Sequence, residues 1–356
     1  MLTFQPGALR AVTHLIACRM GSEEGEAREV ADHLVRANLA GHDSHGVGML
    51  PTYVRLLGDG LLVPNQTAET VLDAGALLVI DARRGYGQRM AADAVDRAIA
   101  KAKEQGACVL GLRNAAHIGR IGTYAERAAN AGCAYVSFVN VADHRDAQAT
   151  YGAAEARLGT NPFTVGVPGP KGEPMLLDMA TTTIAAGKAR VAYNKGVPVA
   201  EGTLIDAEGR PTTDPTGFMR DKTGALMAFG LHKGSGLAVM CEIMATAVAG
   251  GQATHQPRKG GTLNSMLAIV IDLSKIGDAE AIMASVGATR EHVKSARPAP
   301  GVSEVLTPGE PERLSAARQN AQGIEVDETS WADIKAAALS LGITEVEFDQ
   351  AAHANA

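Results

Sequence analysis

Aromatic side chains are scarce in this 356-residue chain: Phe, Tyr and Trp make up 4%, with one tryptophan. A core must therefore come from Ala, Val, Leu, Ile and Met. At 46% hydrophobic content there is enough for one large domain or two ordinary ones. Cysteine is limited to Cys18, Cys108, Cys133 and Cys241, with no Cys-x-x-Cys pair. Each lies in an apolar stretch, which reads as buried free thiols in a reducing, cytoplasmic setting. No sign of charge dominates, the net being -6. That excludes the clustered basic footprint of a nucleic-acid binder. No run reaches about 18 uninterrupted apolar residues, so no membrane-spanning helix is expected. The N-terminal stretch has no basic region followed by a long apolar run, so no signal peptide is expected. No Gly-x-Gly-x-x-Gly follows the first strand, and Gly187-Lys188 lacks the rest of a Walker A sequence. Any nucleotide is therefore held in another way.

What is present begins with helices. Apolar residues at helical spacing predict one over Pro6 to Arg19 and a second, capped by Ser22, to about Ala40. From about residue 76, short apolar runs alternate with helical stretches. Strands are expected at 77–80, 108–112, 135–141, 164–167, 175–179 and 266–273. Helices are expected at 88–105, 119–131 and 233–249. The alternation argues for α/β layers. An amphipathic helix at Ala279 to Lys294 follows. A segment from Arg297 to Pro311, with four of the 15 prolines, reads as an ordered loop or arm. Ser330 is placed to cap a last helix to Leu341, with Asp333 at its third position. Both ends are helical, so a discontinuous helical domain, 1–72 with 275–356, is expected around an α/β domain at 73–274.

Five short constellations could carry chemistry. Gly41-His42-Asp43-Ser44-His45-Gly46 reads as a helix ending, as an active-site loop, or as part of a metal site through His42, Asp43 and His45, although the two histidines share no established helix face and no further ligand is marked. His117 follows a strand, where ligands gather in α/β proteins. A histidine there serves as acid or base, or is an ordinary loop residue. Gly119 and Gly122 open the backbone at a helix start, and Ile121 lies between them. Arg120 is a cation where the helix dipole disfavours one, which points to an anion nearby or to pairing with Glu126. Gly159-Thr160-Asn161-Pro162 is a tight turn. Leu177-Asp178-Met179-Ala180-Thr181 ends a strand with hydroxyl-bearing residues. His232-Lys233-Gly234 opens a helix and suits a phosphate or carboxylate.

Taken in order, these pieces resemble the type-2 malate/L-lactate dehydrogenase family, whose members include ureidoglycolate, sulfolactate and 2,3-diketogulonate oxidoreductases. The likeness runs through GHDSHGVGMLPTYVRLL, HIGRIGTYAERAANAG, RLGTNPF, LLDMATT, GKARVAYNKGVPVAEG, HKGSGLAVMCEI and LTPGEPERLSAARQNAQGI. Within the family, HIGRIG, HKG and Thr254-His255-Gln256 resemble the hydroxycarboxylate dehydrogenase B branch. The resemblance implies a dinucleotide-binding α/β fold that is not Rossmann, with a mixed sheet. It also implies a homodimer, NAD (or NADP) as hydride carrier, and a small 2-hydroxy or 2-oxo acid as substrate. His117 matches the family's acid/base, with Ser44 and His45 beside the nicotinamide. Gly119, Arg120 and Ile121, residues 159–162, Leu177 to Thr181, and His232, Lys233 and Gly234 fall in cofactor-contacting segments.

Two departures stand out. Met49 replaces an arginine that meets the substrate carboxylate in many members, and Arg120 stands where several have a small residue. The expectation is that the carboxylate partner has moved from position 49 to Arg120, whose fork suits it. Residues 144–153 lack the family's Ala-Pro-aromatic run. The same scaffold allows a cyclic imine reductase. From other classes come a non-catalytic dinucleotide-binding dimer and a metal hydrolase at His42, Asp43 and His45.

Overall fold

A computed structural model describes residues 1–354. The chain starts with β1 (Leu2–Phe4), α1 (Pro6–Arg19), α2 (Glu24–Leu39), short 3₁₀ turns at Asp43–His45 and Val47–Met49, and α3 (Leu50–Gly58). Then come β2 (Glu69–Ala74), β3 (Leu77–Asp81), α4 (Gly87–Gln105), β4 (Ala107–Ala115), α5 (Gly122–Asn130) and β5 (Cys133–Ala142). Short strands β6 (Gln148–Ala149) and β7 (Ala156–Leu158) lead to β8 (Phe163–Val167), β9 (Met175–Met179) and α6 (Ala186–Lys195). Next are β10 (Leu204–Ile205), β11 (Pro211–Thr212), β12 (Ala225–Leu226) and α7 (His232–Ile243), which runs on as a π-helical turn to Val248. The chain ends with β13 (Leu263–Asp272), α8 (Leu273–Ile276), α9 (Ala279–Lys294), α10 (Glu310–Gln322), β14 (Ile324–Val326), α11 (Glu328–Ser340) and α12 (Glu345–Ala352).

Seven strands form the main sheet in the order β2-β3-β4-β13-β5-β8-β9. Only β3 and β4 run parallel. The sheet is thus mixed and mostly antiparallel. Helices α4 and α5 cover one face, burying Leu110, Leu112, Tyr124, Val139 and Met266. A second core joins the chain ends: Leu9, Ile16, Leu34, Tyr53, Ile324, Ile334 and Phe348 pack together. Strand β1 lies antiparallel to β14, with Leu2 opposite Val326. Burying one such large side chain is worth roughly 1.5–3 kcal/mol. A small sheet, β11-β10-β12-β6-β7, closes a third core with Ala189 of α6. Among the described residues no helix is long and apolar enough to cross a membrane.

Several local expectations are corrected. Ser22 does not cap α2; Glu23 holds that position without a side-chain bond, and Ser22 Oγ donates to Glu26 at 2.8 Å. Helix α5 starts at Gly122 and not at Gly119, because Gly119 sits at φ 72°, outside the helical region. Asp327, and not Ser330, caps α11, accepting from Ser330 N–H at 2.9 Å. The proline-bearing segment runs straight into α10, with Pro311 in its first turn. Helix α12 follows, opened by a capping box between Thr344 and Glu347. All four cysteines are free, but Cys18 is only half-buried.

Candidate active site

His117 follows β4 by two residues, at the strand end. Its backbone continues into Ile118, whose N–H donates to Asn264 of β13 at 2.9 Å. Gly119 lets the turn pass under α2: a Cβ there would lie 2.3 Å from His33 Nε2. The His117 side chain is buried between two partners. Nδ1 lies 2.7 Å from Tyr53 Oη of α3, and Nε2 lies 3.0 Å from His45 Nδ1. Gln88 Nε2, in the first turn of α4, donates to Tyr53 Oη at 2.6 Å. The two imidazoles stack, with centroids 5.2 Å apart.

Burial dominates the electrostatics. It holds His117 well below the ordinary histidine value, and the neighbouring His45, His33 and His144 add to this. Burial likewise takes His45 down to about 4; Asp178 opposes, while His42 and Arg120 reinforce. Two neutral imidazoles sharing one hydrogen bond are thus the resting arrangement. Such a pair can pass a proton in either direction.

His45 borders a cavity of about 620 Å³. Ser44, Gly119, Arg120, Ile121, Thr160, Pro162, Asp178, Met179 and Ala180 also border it, so the structure brings most of the predicted segments to one place. Helix α6 forms another wall. Its Gly187 is packed on Ser44, where a Cβ would stand 2.7 Å from Ser44 Cβ. Lys188, Arg190 and Lys195 line this wall. Among the described residues none of the three has a carboxylate within ion-pair distance. The reading of Gly187-Lys188 only as a failed Walker A sequence missed this wall. Its signal was the cationic helix pattern Lys188, Arg190, Lys195.

Arg120 makes the expected pair with Glu126, but it precedes α5 rather than standing in its first turn, and it is 2% exposed. Nη1 meets Glu126 at 2.8 Å and Nε lies 3.2 Å from Asp178. Burial lowers its proton affinity, and Glu126 and Asp178 more than restore it. Its charge is therefore already balanced, while Nη2 is buried without a hydrogen-bond partner.

Other predicted residues lie apart from the cavity. Met49 packs against the core of the chain ends. Asn161 turns inward: its Nδ2 donates to Ala238 O and to Glu242, both at 3.0 Å. Thr181 Oγ1 is taken by Gln148 and Thr160 O. Gly159 is pressed on Val141, and Leu177 pairs with Val165 inside the sheet. His232 and Lys233 are exposed at the start of α7, and Gly234 is packed on Phe229. His42 and Asp43 do border the cavity but diverge, to Glu312 at 3.4 Å and to Asn38 at 2.6 Å, so they and His45 do not converge on one point. Tyr53 and Gln88, in contrast, escaped sequence reasoning although both stand in the site.

The sequence matches the family described as malate/L-lactate dehydrogenase over residues 4–335. The chain belongs to that family. It is 43% identical to hydroxycarboxylate dehydrogenase B of Escherichia coli K12 over 346 residues, covering 96% of this chain and 95% of that one. It is 37% identical to L-lactate dehydrogenase of Cupriavidus necator over 320 residues, covering 89% and 91%. The solved sulfolactate dehydrogenase of Methanocaldococcus jannaschii superposes with a TM-score of 0.85 at 32% identity, covering 96% and 98%. The family is one of oxidoreductases acting on hydroxy acids.

Proposed function

We propose that this chain is a 2-hydroxy acid dehydrogenase that uses NAD, with NADP as the alternative carrier, on a small malate-, lactate- or 2-hydroxyglutarate-like acid. The observation that carries this reading is His45, half-buried at the wall of the cavity and hydrogen-bonded to the buried His117, with the cationic helix α6 beside it. The cavity suits a nicotinamide dinucleotide. Lys188, Arg190 and Lys195 offer cationic groups for its phosphates, and Pro162, Met179, Ile184 and Val191 offer apolar surface for its rings. With one parallel strand pair in the main sheet, this supports a mode of holding unlike the parallel Rossmann arrangement. The helical ends, 1–72 with 275–356, then form the substrate side, and 73–274 the dinucleotide side.

When bound, the dinucleotide supplies hydride transfer. The protein's own part is to orient the acid and move one proton. In oxidation the 2-hydroxyl gives its proton to the imidazole pair, with His45 at the cavity and His117 behind it as base. In reduction the protonated pair returns it to the carbonyl oxygen. The orphaned Nη2 of Arg120 takes the substrate carboxylate, and Ser44 helps fix the reacting oxygen. A homodimer is supported by the exposed apolar side of α7, where Val239, Met240 and Ile243 are 37%, 47% and 42% exposed.

The test is turnover of 2-oxoglutarate, oxaloacetate, pyruvate and a cyclic imino acid with NADH and with NADPH. A 2-oxo acid is expected to be reduced, and His117→Gln to lose about 10²–10⁴-fold in rate. Turnover of the imino acid alone replaces the reading by imine reduction. Tight dinucleotide binding with no turnover replaces it by a binding protein.

A further inference from the structure

A base buried among other histidines needs help to hold a proton, and the groups beyond His117 supply a means. Gln88 is 1% exposed and Tyr53 is 2% exposed, so water reaches neither. Gln88 Nε2 lies 2.6 Å from Tyr53 Oη, which lies 2.7 Å from His117 Nδ1. Gln88 Oε1 is buried with no donor near it. Only the Tyr53 contact therefore holds the amide as it stands.

Hydrogen-bond polarity in this row decides what His117 can do. With the Gln88 N–H donating to Tyr53, His117 Nδ1 is the acceptor left for the phenol O–H. Neutral His117 then carries its hydrogen on Nε2 and points it at His45 Nδ1. A further proton on Nδ1 would leave the buried phenol O–H without an acceptor, which disfavours it. The amide oxygen and nitrogen are nearly isosteric, and a half-turn exchanges them. The Tyr53 O–H then donates to Gln88 Oε1, and Tyr53 Oη accepts from His117 Nδ1–H. Nε2 is left free to receive.

We propose that Gln88 and Tyr53 are positioning residues that set the proton capacity of the His45–His117 pair, with the Gln88 amide oxygen turned to Tyr53 in the working state. This rests on the dehydrogenase reading above. In oxidation the substrate O–H bond breaks and an N–H bond forms on His45 Nε2. The proton on His45 Nδ1 moves to His117 Nε2. The electron pair of the former O–H bond closes the carbonyl as the C2 hydride leaves for the oxidised nicotinamide. The resulting His117 imidazolium donates to Tyr53 through Nδ1 and to His45 through Nε2. Reduction runs the same bonds backwards.

The other groups facing the pair are fixed by different elements. His33 of α2 and His144 after β5 oppose positive charge on His117. Around His45, Asp178 favours it, while His42 and Arg120 oppose it. Substitution at position 88 alters none of these.

The test compares Gln88→Glu with Gln88→Leu in the whole protein, reading kcat/KM for reduction against pH. A glutamate can still accept from Tyr53, so its profile stays or moves up. A leucine accepts nothing, so Tyr53 turns its O–H to His117. The pH at which reduction is lost then falls by about one unit, roughly tenfold less activity near neutrality, with KM little changed. Glu and Leu profiles shifted alike, or a Leu profile like the parent's, overturns the proposal. Nitrogen-15 NMR of histidine-labelled protein without substrate gives an independent reading. The parent is expected to carry the His117 hydrogen on Nδ1 and Gln88→Leu to carry it on Nε2; the same tautomer in both overturns the relay. A tautomer change in a protein that turns over no 2-hydroxy acid leaves the relay standing and removes the dehydrogenase reading. Intact His45 and His117 resonances in each variant establish that it is folded.

Discussion

Lowering the pH from 7 to 5 should destabilise this protein through histidines that cannot charge where they sit, and His33 isolates the effect. It lies inside α2, 5% exposed, with Nε2 lacking any hydrogen-bond partner. Burial, helped by Arg36, Arg120 and His45, presses it to about 3. Burial presses His45 to about 4. In the unfolded chain both sit near 6.5. Their folded values are depressed, so the unfolded state binds more protons at any pH between the two values. Stability from this source is full above about 6.5 and falls as the pH falls towards the folded values. At pH 5 the gap is about 1.5 units for each. At about 1.4 kcal/mol per unit this costs roughly 2 kcal/mol per histidine, or about 4 kcal/mol together. A typical total stability is about 5–15 kcal/mol, so the loss is large. Denaturant unfolding of the parent and of His33→Leu at pH 7, 6 and 5 measures it. The variant should lose about 2 kcal/mol less than the parent over that range, whatever its stability at pH 7. Equal losses in both proteins would refute the reasoning.

Arg120→Leu leaves Asp178 and Glu126 without their buried cation. It should cost about 3–5 kcal/mol of stability in thermal or denaturant melts and raise KM for the 2-oxo acid. An unchanged melting temperature argues that the ion pairs carry no net stabilisation, and an unchanged KM removes Arg120 from the substrate. Gly119→Ala meets both a φ of 72° and the His33 ring, 2.3 Å from the new Cβ. A shift of the unfolding midpoint equivalent to at least about 1–2 kcal/mol is expected, and full stability would show that the turn can relax.

Much of the scaffold was legible because its signals are local. Helix α1 runs over Pro6–Arg19 and α9 over Ala279–Lys294, as apolar spacing predicts. The long strands coincide with short Val- and Leu-rich runs. Strand β2 is exposed throughout, so it has no apolar alternation to betray it. Strands β1 and β14 are three residues each and exist only because they pair across the whole chain. The same distinction holds in the site. His117, Ser44 and His45 could be singled out from nearby glycines and strand ends. Tyr53 reaches His117 from another helix, 64 residues away in sequence, and Gln88 reaches Tyr53 across 35 residues, which no spacing rule covers. Arg120 drew notice as a misplaced cation. That one of its carboxylates is Asp178 depends on how β9 meets α5, and no pattern in the chain states this.

The strand pair between the chain ends has a bearing on how the protein is made. Asn38, Gly41 to His45, Val47 and Gly48 border the cavity together with Glu325, Val326 and Asp327. A nascent chain leaving the ribosome already holds the segment with His45 and His117, and the α/β layers can assemble around it. The wall at 325–327 does not yet exist, and Leu2 has no Val326 to pair with. The cavity can close only after residues 325–327 have been made, so a chain interrupted before them contains the histidines but not the chamber they serve.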